Sequence, residues 1–153
     1  MGIYGLKHRE HLRLIECDWI SGGLSAWRRE VFFKVPFDRE NGFHMIEDID
    51  SSTRVFKYYR GNLYINPNAK LAHYCSPVNR LSSEARQQLK ITEYIVFFRK
   101  RISWSWAYTS LGWLLAGLFL ESVFQSLKLQ SIRPFVGYCM GIRDGFTKRL
   151  VHE

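Results

Sequence analysis

Apolar and polar positions along the 153-residue chain divide it into two stretches of different character. Residues 1–16 are polar, with His8, Arg9, Glu10, His11 and Arg13, and read as a loop or as the cut end of something longer. Cys17 to Ile20 predicts a short strand leading to the glycine pair Gly22-Gly23. Ser25 is placed to cap a helix over Ala26–Lys34, which Pro36 stops; Trp27, Val31 and Phe32 form its apolar side. A loop then runs to Glu47. Ile49, Thr53 and Phe56 recur at helical spacing and predict a helix over Asp48–Tyr59, closed by Gly61-Asn62. Leu63-Tyr64-Ile65 and Lys70 to Tyr74 predict two strands about a turn at Asn66-Pro67-Asn68.

From Ser82 the pattern changes. Ser82 or Ser83 caps a helix from Glu84 to Arg101, polar in its first half and apolar over Tyr94–Phe98. Ile102 to Leu120 is a run without a charge that holds Trp104, Trp106, Tyr108 and Trp113. About 20 apolar residues cross a bilayer, and Trp and Tyr favour its interfaces. A membrane-inserted helix over about 102–121 is therefore expected, spanning or lying in the membrane, with a buried core helix as the alternative. A final segment, Phe135–Leu150, carries Gly137, Gly141 and Gly145 and reads as a basic amphipathic helix on the membrane surface. Residues 1–80 and 81–153 thus form an α/β portion and a helical, membrane-associated portion.

Composition narrows the partners. Hydrophobic residues make up 46% of the chain and aromatics 16%, so a packed core rather than disorder is expected. The net charge is +8 and the pI about 9.6, which suits nucleic acid, an anionic membrane or a phosphorylated substrate. Arg99-Lys100-Arg101 and the basic residues from Arg143 to Arg149 flank the apolar run with no nucleic-acid motif, so they read as headgroup contacts and nucleic acid is not expected. Charge asymmetry slightly favours the earlier side of the run as cytoplasmic. Cys17, Cys75 and Cys139 lack metal-ligand spacing and read as free thiols in a reducing compartment. MGIYGLKHREHL has no apolar signal region, and Leu6 stands where a myristoylation site needs Ser or Thr.

The chemistry centres on residues 42–54. Glu47 and Asp48 adjoin at a helix start; Asp50 and Arg54 follow. One reading is helix-start electrostatics, since acidic side chains are stabilised there. The other is a general base facing a cleft. Like charge from Glu47 and Asp50 would raise the pKa of Asp48, and Arg54 would lower it if near.

Four motifs in order carry a resemblance: Gly22-Gly23-Leu-Ser-Ala-Trp-Arg-Arg-Glu-Val-Phe, Phe37-Asp38, Glu47-Asp48-Ile-Asp50 with Arg54, and Asn66-Pro67-Asn68-Ala69 leading to His73. Residues 17–77 resemble the acceptor half of a family 2 glycosyltransferase of the GT-A fold. Phe98-Arg99-Lys100 and Gly141-Ile-Arg-Asp-Gly145 resemble the tail of bacterial membrane-associated members. The resemblance implies a partial GT-A fold, a mixed sheet with helices, followed by a helical membrane-associated region. It implies inverting sugar transfer from a nucleotide-sugar donor to a glycan or lipid-linked acceptor in cell-surface polysaccharide synthesis, with the catalytic portion cytoplasmic. Asp48 matches the catalytic base. Gly22 and Gly23 match the loop lining the cleft, with Glu47, Asp50 and Arg54 beside it. His73 matches a position that in some members ligates the divalent metal, Mg or Mn, of a complete enzyme; a hydrogen-bonded strand-end histidine is the alternative. Trp27 is placed to stack on a sugar or to fill the core.

The sequence departs from the family in its donor side. The first parallel strands, the nucleotide pocket and the donor Asp-x-Asp have no counterpart; Asp48-Ile-Asp50 has that spelling in the acceptor setting. Transfer is therefore expected to need a donor-binding half, supplied by a separate chain or lost through truncation or decay, and the isolated chain is expected to be inactive. The competing expectation is a small basic membrane-associated binding protein without catalysis.

Overall fold

A computed structural model of the chain describes residues 13–39, 44–72, 81–102 and 104–150. Among them the chain is mostly helical with one two-stranded antiparallel sheet. It divides into two compact units, Met1–Phe37 with Glu47–Ser76, and Asp38–Ile46 with Pro77–Glu153.

In the first unit, strand β1 (Ile15–Glu16) pairs with β2 (Tyr64–Ile65), Ile15 opposite Ile65 and Glu16 opposite Tyr64. The pairing extends by one bond, from the Cys17 N–H to the Leu63 carbonyl. The strand expected over Cys17–Ile20 thus begins two residues earlier and stops as Ile20 reaches a helix. The Ile20 N–H donates to Ser52 Oγ at 3.1 Å, and that hydroxyl donates back to the Ile20 carbonyl at 3.3 Å. The mixed sheet is here a single antiparallel pair; residues 70–72 form no strand, and residues 73 and 74 lie outside the described residues.

Helix α1 (Arg29–Lys34) is shorter than the pattern predicts, and Ser25 does not cap it. The Ser25 hydroxyl instead donates to the Gly22 carbonyl and accepts from the Trp27 indole, which holds residues 25–28 outside the helix.

Helix α2 (Glu47–Tyr59) starts with Glu47, Asp48 and Asp50 in its first turn, where the helix dipole favours acidic groups. It ends in a Schellman turn. Arg60, at φ +54°, takes the left-handed position, and the Gly61 N–H reaches back to the Phe56 carbonyl at 3.0 Å. Its buried positions are Asp50, Ser51, Ser52 and Val55, so the inner face is rotated from the Ile49, Thr53 and Phe56 expected. Polar residues occupy that face because Asp50 pairs with Arg54 and Ser52 with the Ile20 backbone. Val35, Val55 and Leu63 form the core, with Trp27, Val31 and Phe56 against it.

The second unit is built on α3 (Ser83–Arg101), α4 (Ala107–Lys128) and α5 (Arg133–Thr147). Ser82 caps α3 by accepting from the Ala85 N–H. Gly137, Gly141 and Gly145 line one face of α5 and lie directly on α3. A Cβ at Gly137 would strike the Glu84 carbonyl. One at Gly141 would come within 2.7 Å of the Gln88 carbonyl oxygen and 2.8 Å of Ile91 Cβ; one at Gly145 would come within 2.8 Å of Ile95 Cβ. The expected surface helix over Phe135–Leu150 is therefore a packed partner of α3, and its glycines serve that approach. Gln88 Nε2 donates to Asp144 Oδ2 at 2.7 Å; this bond, with those from Arg143, holds the Asp144 carboxyl below its usual range.

Arg99-Lys100-Arg101 are also turned inward. Arg99 donates to the carbonyls of Gly145 and Lys148. Lys100 and Arg101 both reach Asp38 Oδ2, at 2.7 and 2.6 Å, and the Lys100 and Asp38 side chains are buried. The three expected headgroup contacts are thus engaged within the unit: Arg99 by backbone carbonyls, and Lys100 and Arg101 by Asp38, whose burial requires opposite charge beside it. Glu93, also buried, accepts the backbone N–H groups of His44, Met45 and Ile46.

Helix α4 begins five residues later than the apolar run, after a turn over residues 104–106, and continues through Glu121 to Lys128. Glu121, a good helix former, does not end the helix and pairs with Lys90 of α3 at 2.7 Å. Leu111 and Leu118 pack with Ile91 and Ile95.

The close approach of α3 and α5 predicts opposite responses at two helical glycines. Gly141→Ala overpacks the contact and should destabilise the chain by about 2 kcal/mol in chemical denaturation. Gly112→Ala, with nothing within 4 Å of the new Cβ, should be neutral or stabilising by up to about 1 kcal/mol.

Candidate functional site

The site lies in the first unit, where the start of α2 meets the loop after β1. That loop is a single 3₁₀ turn, Gly22–Leu24, closed by the Leu24 N–H on the Ser21 carbonyl. It is held in place by Ser52, whose hydroxyl occupies both backbone groups of Ile20 two residues upstream. On the next turn of α2 toward its N-terminus stands Asp48. Its Oδ2 accepts from the Gly22 N–H at 3.3 Å, a long hydrogen bond, and its Oδ1 accepts from the Ile49 N–H at 2.8 Å. A Cβ at Gly22 would lie 3.4 Å from Asp48 Cβ, an ordinary contact, so the glycine leaves the approach to the carboxylate less hindered than a larger side chain would. Asp48 is half-buried and Gly22 and Gly23 are exposed, so the carboxylate sits at a surface open to a ligand.

The other predicted residues differ in their surroundings. Glu47 is exposed at the helix start. Asp50 is buried and pairs with Arg54, whose Nε donates to Asp50 Oδ2 at 2.9 Å. Arg54 Nη1 also donates to the Pro36 carbonyl. This pair is therefore internal, and its charges tie α2 to the chain after α1. Arg54 Nη2 is buried without a hydrogen-bond partner among the described residues. Trp27 is half-buried against the Val35, Val55 and Leu63 core, its indole N–H bound to Ser25 Oγ. The core role is thus the one its surroundings support. His73 lies outside the described residues.

A metal would need several hard oxygen or nitrogen donors converging. Among the described residues no three His, Cys, Asp or Glu side chains do so, and Asp50 is turned to Arg54. These residues do not by themselves fit a divalent cation. Burial raises the Cys17 thiol pKa, as do the charges of Asp18 and Glu16, against a lowering bond from the Trp19 backbone, which disfavours the reactive thiolate.

The apolar pattern does not single out Ser52. A signal is nevertheless present: two serines inside a helix, Ser51-Ser52, are poor helix formers and there often serve a side-chain bond elsewhere.

Comparison with protein-family models, with curated proteins and with solved structures finds no match to this chain.

Ser52 gives the site its own test. Ser52→Ala leaves both backbone groups of Ile20 without their partner and should cost about 1–3 kcal/mol. Hydrogen exchange should show the Ile20 amide losing protection while α5 amides keep theirs.

Proposed function

We propose that this chain is the acceptor-side, catalytic-base portion of an inverting, nucleotide-sugar-dependent glycosyltransferase of family 2 and GT-A fold, acting in cell-surface glycan synthesis. The observation that carries the reading is the meeting of Asp48 with Gly22. Two segments 26 residues apart, which the resemblance assigns to one cleft, share a hydrogen bond at an open surface.

In that reaction Asp48 takes the proton of an acceptor hydroxyl as its oxygen bonds to the anomeric carbon. The nucleoside diphosphate leaves from the opposite face with the bonding pair, and the configuration inverts. A sugar hydroxyl is a weak nucleophile until its proton is removed, so the base supplies a large part of the acceleration. Gly22 positions that base through its N–H and, lacking a side chain, leaves room for the acceptor. The donor, and the Mg or Mn ion that accompanies its diphosphate, are assigned to a donor-binding portion beyond these residues, on a separate chain or on a longer form of this one. The acceptor is a glycan or a lipid-linked sugar, presented at the cytoplasmic face of a membrane to which α4 attaches the chain.

A second reading is favoured by one observation. The exposed apolar side of α4 accounts for a membrane-associated binding protein with no catalysis. Asp48→Asn separates the two. Supplied with the donor-binding half of a family 2 enzyme, the wild-type chain should release nucleotide and form product, whereas alone it should not. Asp48→Asn should lower that turnover on the order of 10²–10⁴-fold and leave membrane attachment unchanged. Equal turnover of the two forms, or transfer by the isolated chain, contradicts the proposal.

A further inference from the structure

We infer that α4 lies lengthwise in one leaflet of a phospholipid bilayer, its outer face down, and does not cross it. The inference rests on the membrane attachment proposed above and adds the geometry of that attachment.

Helix α4 could cross by length alone: 22 residues make about 33 Å, against a hydrocarbon core of about 30 Å. Its surroundings argue against this. One stripe, Ala107, Leu111, Leu118 and Ser122, is buried against the rest of the unit. Leu111 and Leu118 pack on Ile91 and Ile95 of α3. The Tyr138 hydroxyl donates to the Leu115 carbonyl, and Phe135 and Tyr138 of α5 meet Phe119 edge-on. Both neighbours therefore accompany α4 along much of its length.

Those neighbours are charged. Glu121 lies about 10 Å from the C-terminal end of α4 at 1.5 Å per residue, inside the hydrocarbon of any crossing geometry. Its ion pair with Lys90 is only partly covered, the two side chains being 36% and 26% exposed. Arg86, on the same helix as Lys90, and Arg143, on α5, are exposed. A charge at the bilayer centre costs at least about 2.5–3.5 kcal/mol. A crossing α4 would carry several such groups in with it.

The opposite side of α4 has no such obstacle. Every exposed position from 108 to 127 is uncharged, and Tyr108, Trp113, Leu120, Phe124 and Leu127 are large apolar or aromatic side chains among them. Trp113 is 83% exposed and Leu127 73%, values that water does not favour along a whole helix face. Trp104 and Trp106 in the turn before α4, and Leu129 and Ile132 after it, are exposed as well. Lys128 and Arg133, both exposed, sit at the second end, where anionic headgroups would meet them. A one-sided apolar face of this length, rich in aromatic side chains and with basic residues at one end, fits a helix sunk about 5–10 Å into one leaflet, with α3 and α5 on the aqueous side.

The test uses the full chain, made by cell-free synthesis with sealed inverted bacterial membrane vesicles. Cys17, Cys75 and Cys139 are replaced by serine. A single cysteine is then placed before α4, Ser105→Cys, or after it, Leu129→Cys. The inference predicts that a membrane-impermeant maleimide labels both positions fully from outside, with no gain on adding detergent. The wild-type chain gives a second readout free of substitutions. Its indole emission should be quenched more by lipids brominated near the carbonyl end of the acyl chain than by lipids brominated near the methyl end. Labelling of one position only after detergent means that α4 crosses; this overturns the inference and leaves membrane attachment standing. A chain that stays in the supernatant, as a monomer or as a dimer with the face covered by a second copy, overturns both.

Discussion

The approach of α5 to α3 is the constraint on which the larger unit depends. Three glycines at four-residue spacing bring one backbone against the other, closer than any side chain would allow. At that distance Thr92 and Arg99 of α3 donate directly to the carbonyls of Gly141 and Gly145. The gain is dense packing and satisfied polar groups rather than apolar area, since glycine has no side chain to bury. The consequence falls on α4. With α3 and α5 occupied by each other, α4 buries only a narrow stripe, and its wide apolar side is left facing outward.

The smaller unit uses small polar side chains in a comparable way. Ser52 stands inside α2 where an apolar residue would be expected, and it secures Ile20 by two hydrogen bonds. Asp50 and Arg54 pair one turn apart on the same helix, and Arg54 reaches the Pro36 carbonyl. Asp48, at the start of the helix, remains half-buried with its carboxylate directed at Gly22. Packing and chemistry are thus divided among neighbouring positions: Asp50 and Ser52 face inward and hold the helix, while Asp48 faces the glycine loop.

The helices are legible in the sequence and their faces much less so. The helix after Glu47-Asp48 falls within one residue of its expected start and at its expected end, because an acidic first turn and a glycine-bearing stop are local signals. Its inner face escapes the pattern because periodicity counts apolar residues, and here serines and an aspartate are inside. The glycines at 137, 141 and 145 are visible as a repeat, but their meaning depends on which helix lies opposite. Lys100 and Arg101 read as headgroup contacts; the partner they meet, Asp38, is more than sixty residues away and leaves no local trace. The apolar run from Ile102 is legible as a long apolar helix, whereas the turn that precedes that helix is not, since Trp104 and Trp106 are as apolar as the helix itself. Of the candidate site, Gly22 and Asp48 share a hydrogen bond, while Trp27, Asp50 and Arg54 are engaged in internal contacts.

Whether the Asp48 carboxylate rests on the backbone of the glycine loop is best read at a single atom, the Gly22 amide proton. Amide spectra of the wild type and Asp48→Ala in solution should show that resonance shifting upfield and exchanging faster in the variant, with the amides of β2 in place. A Gly22 amide indifferent to the loss of the carboxylate would mean that the two segments do not share a surface, and the assignment of Asp48 as a base in an acceptor cleft would fall with it.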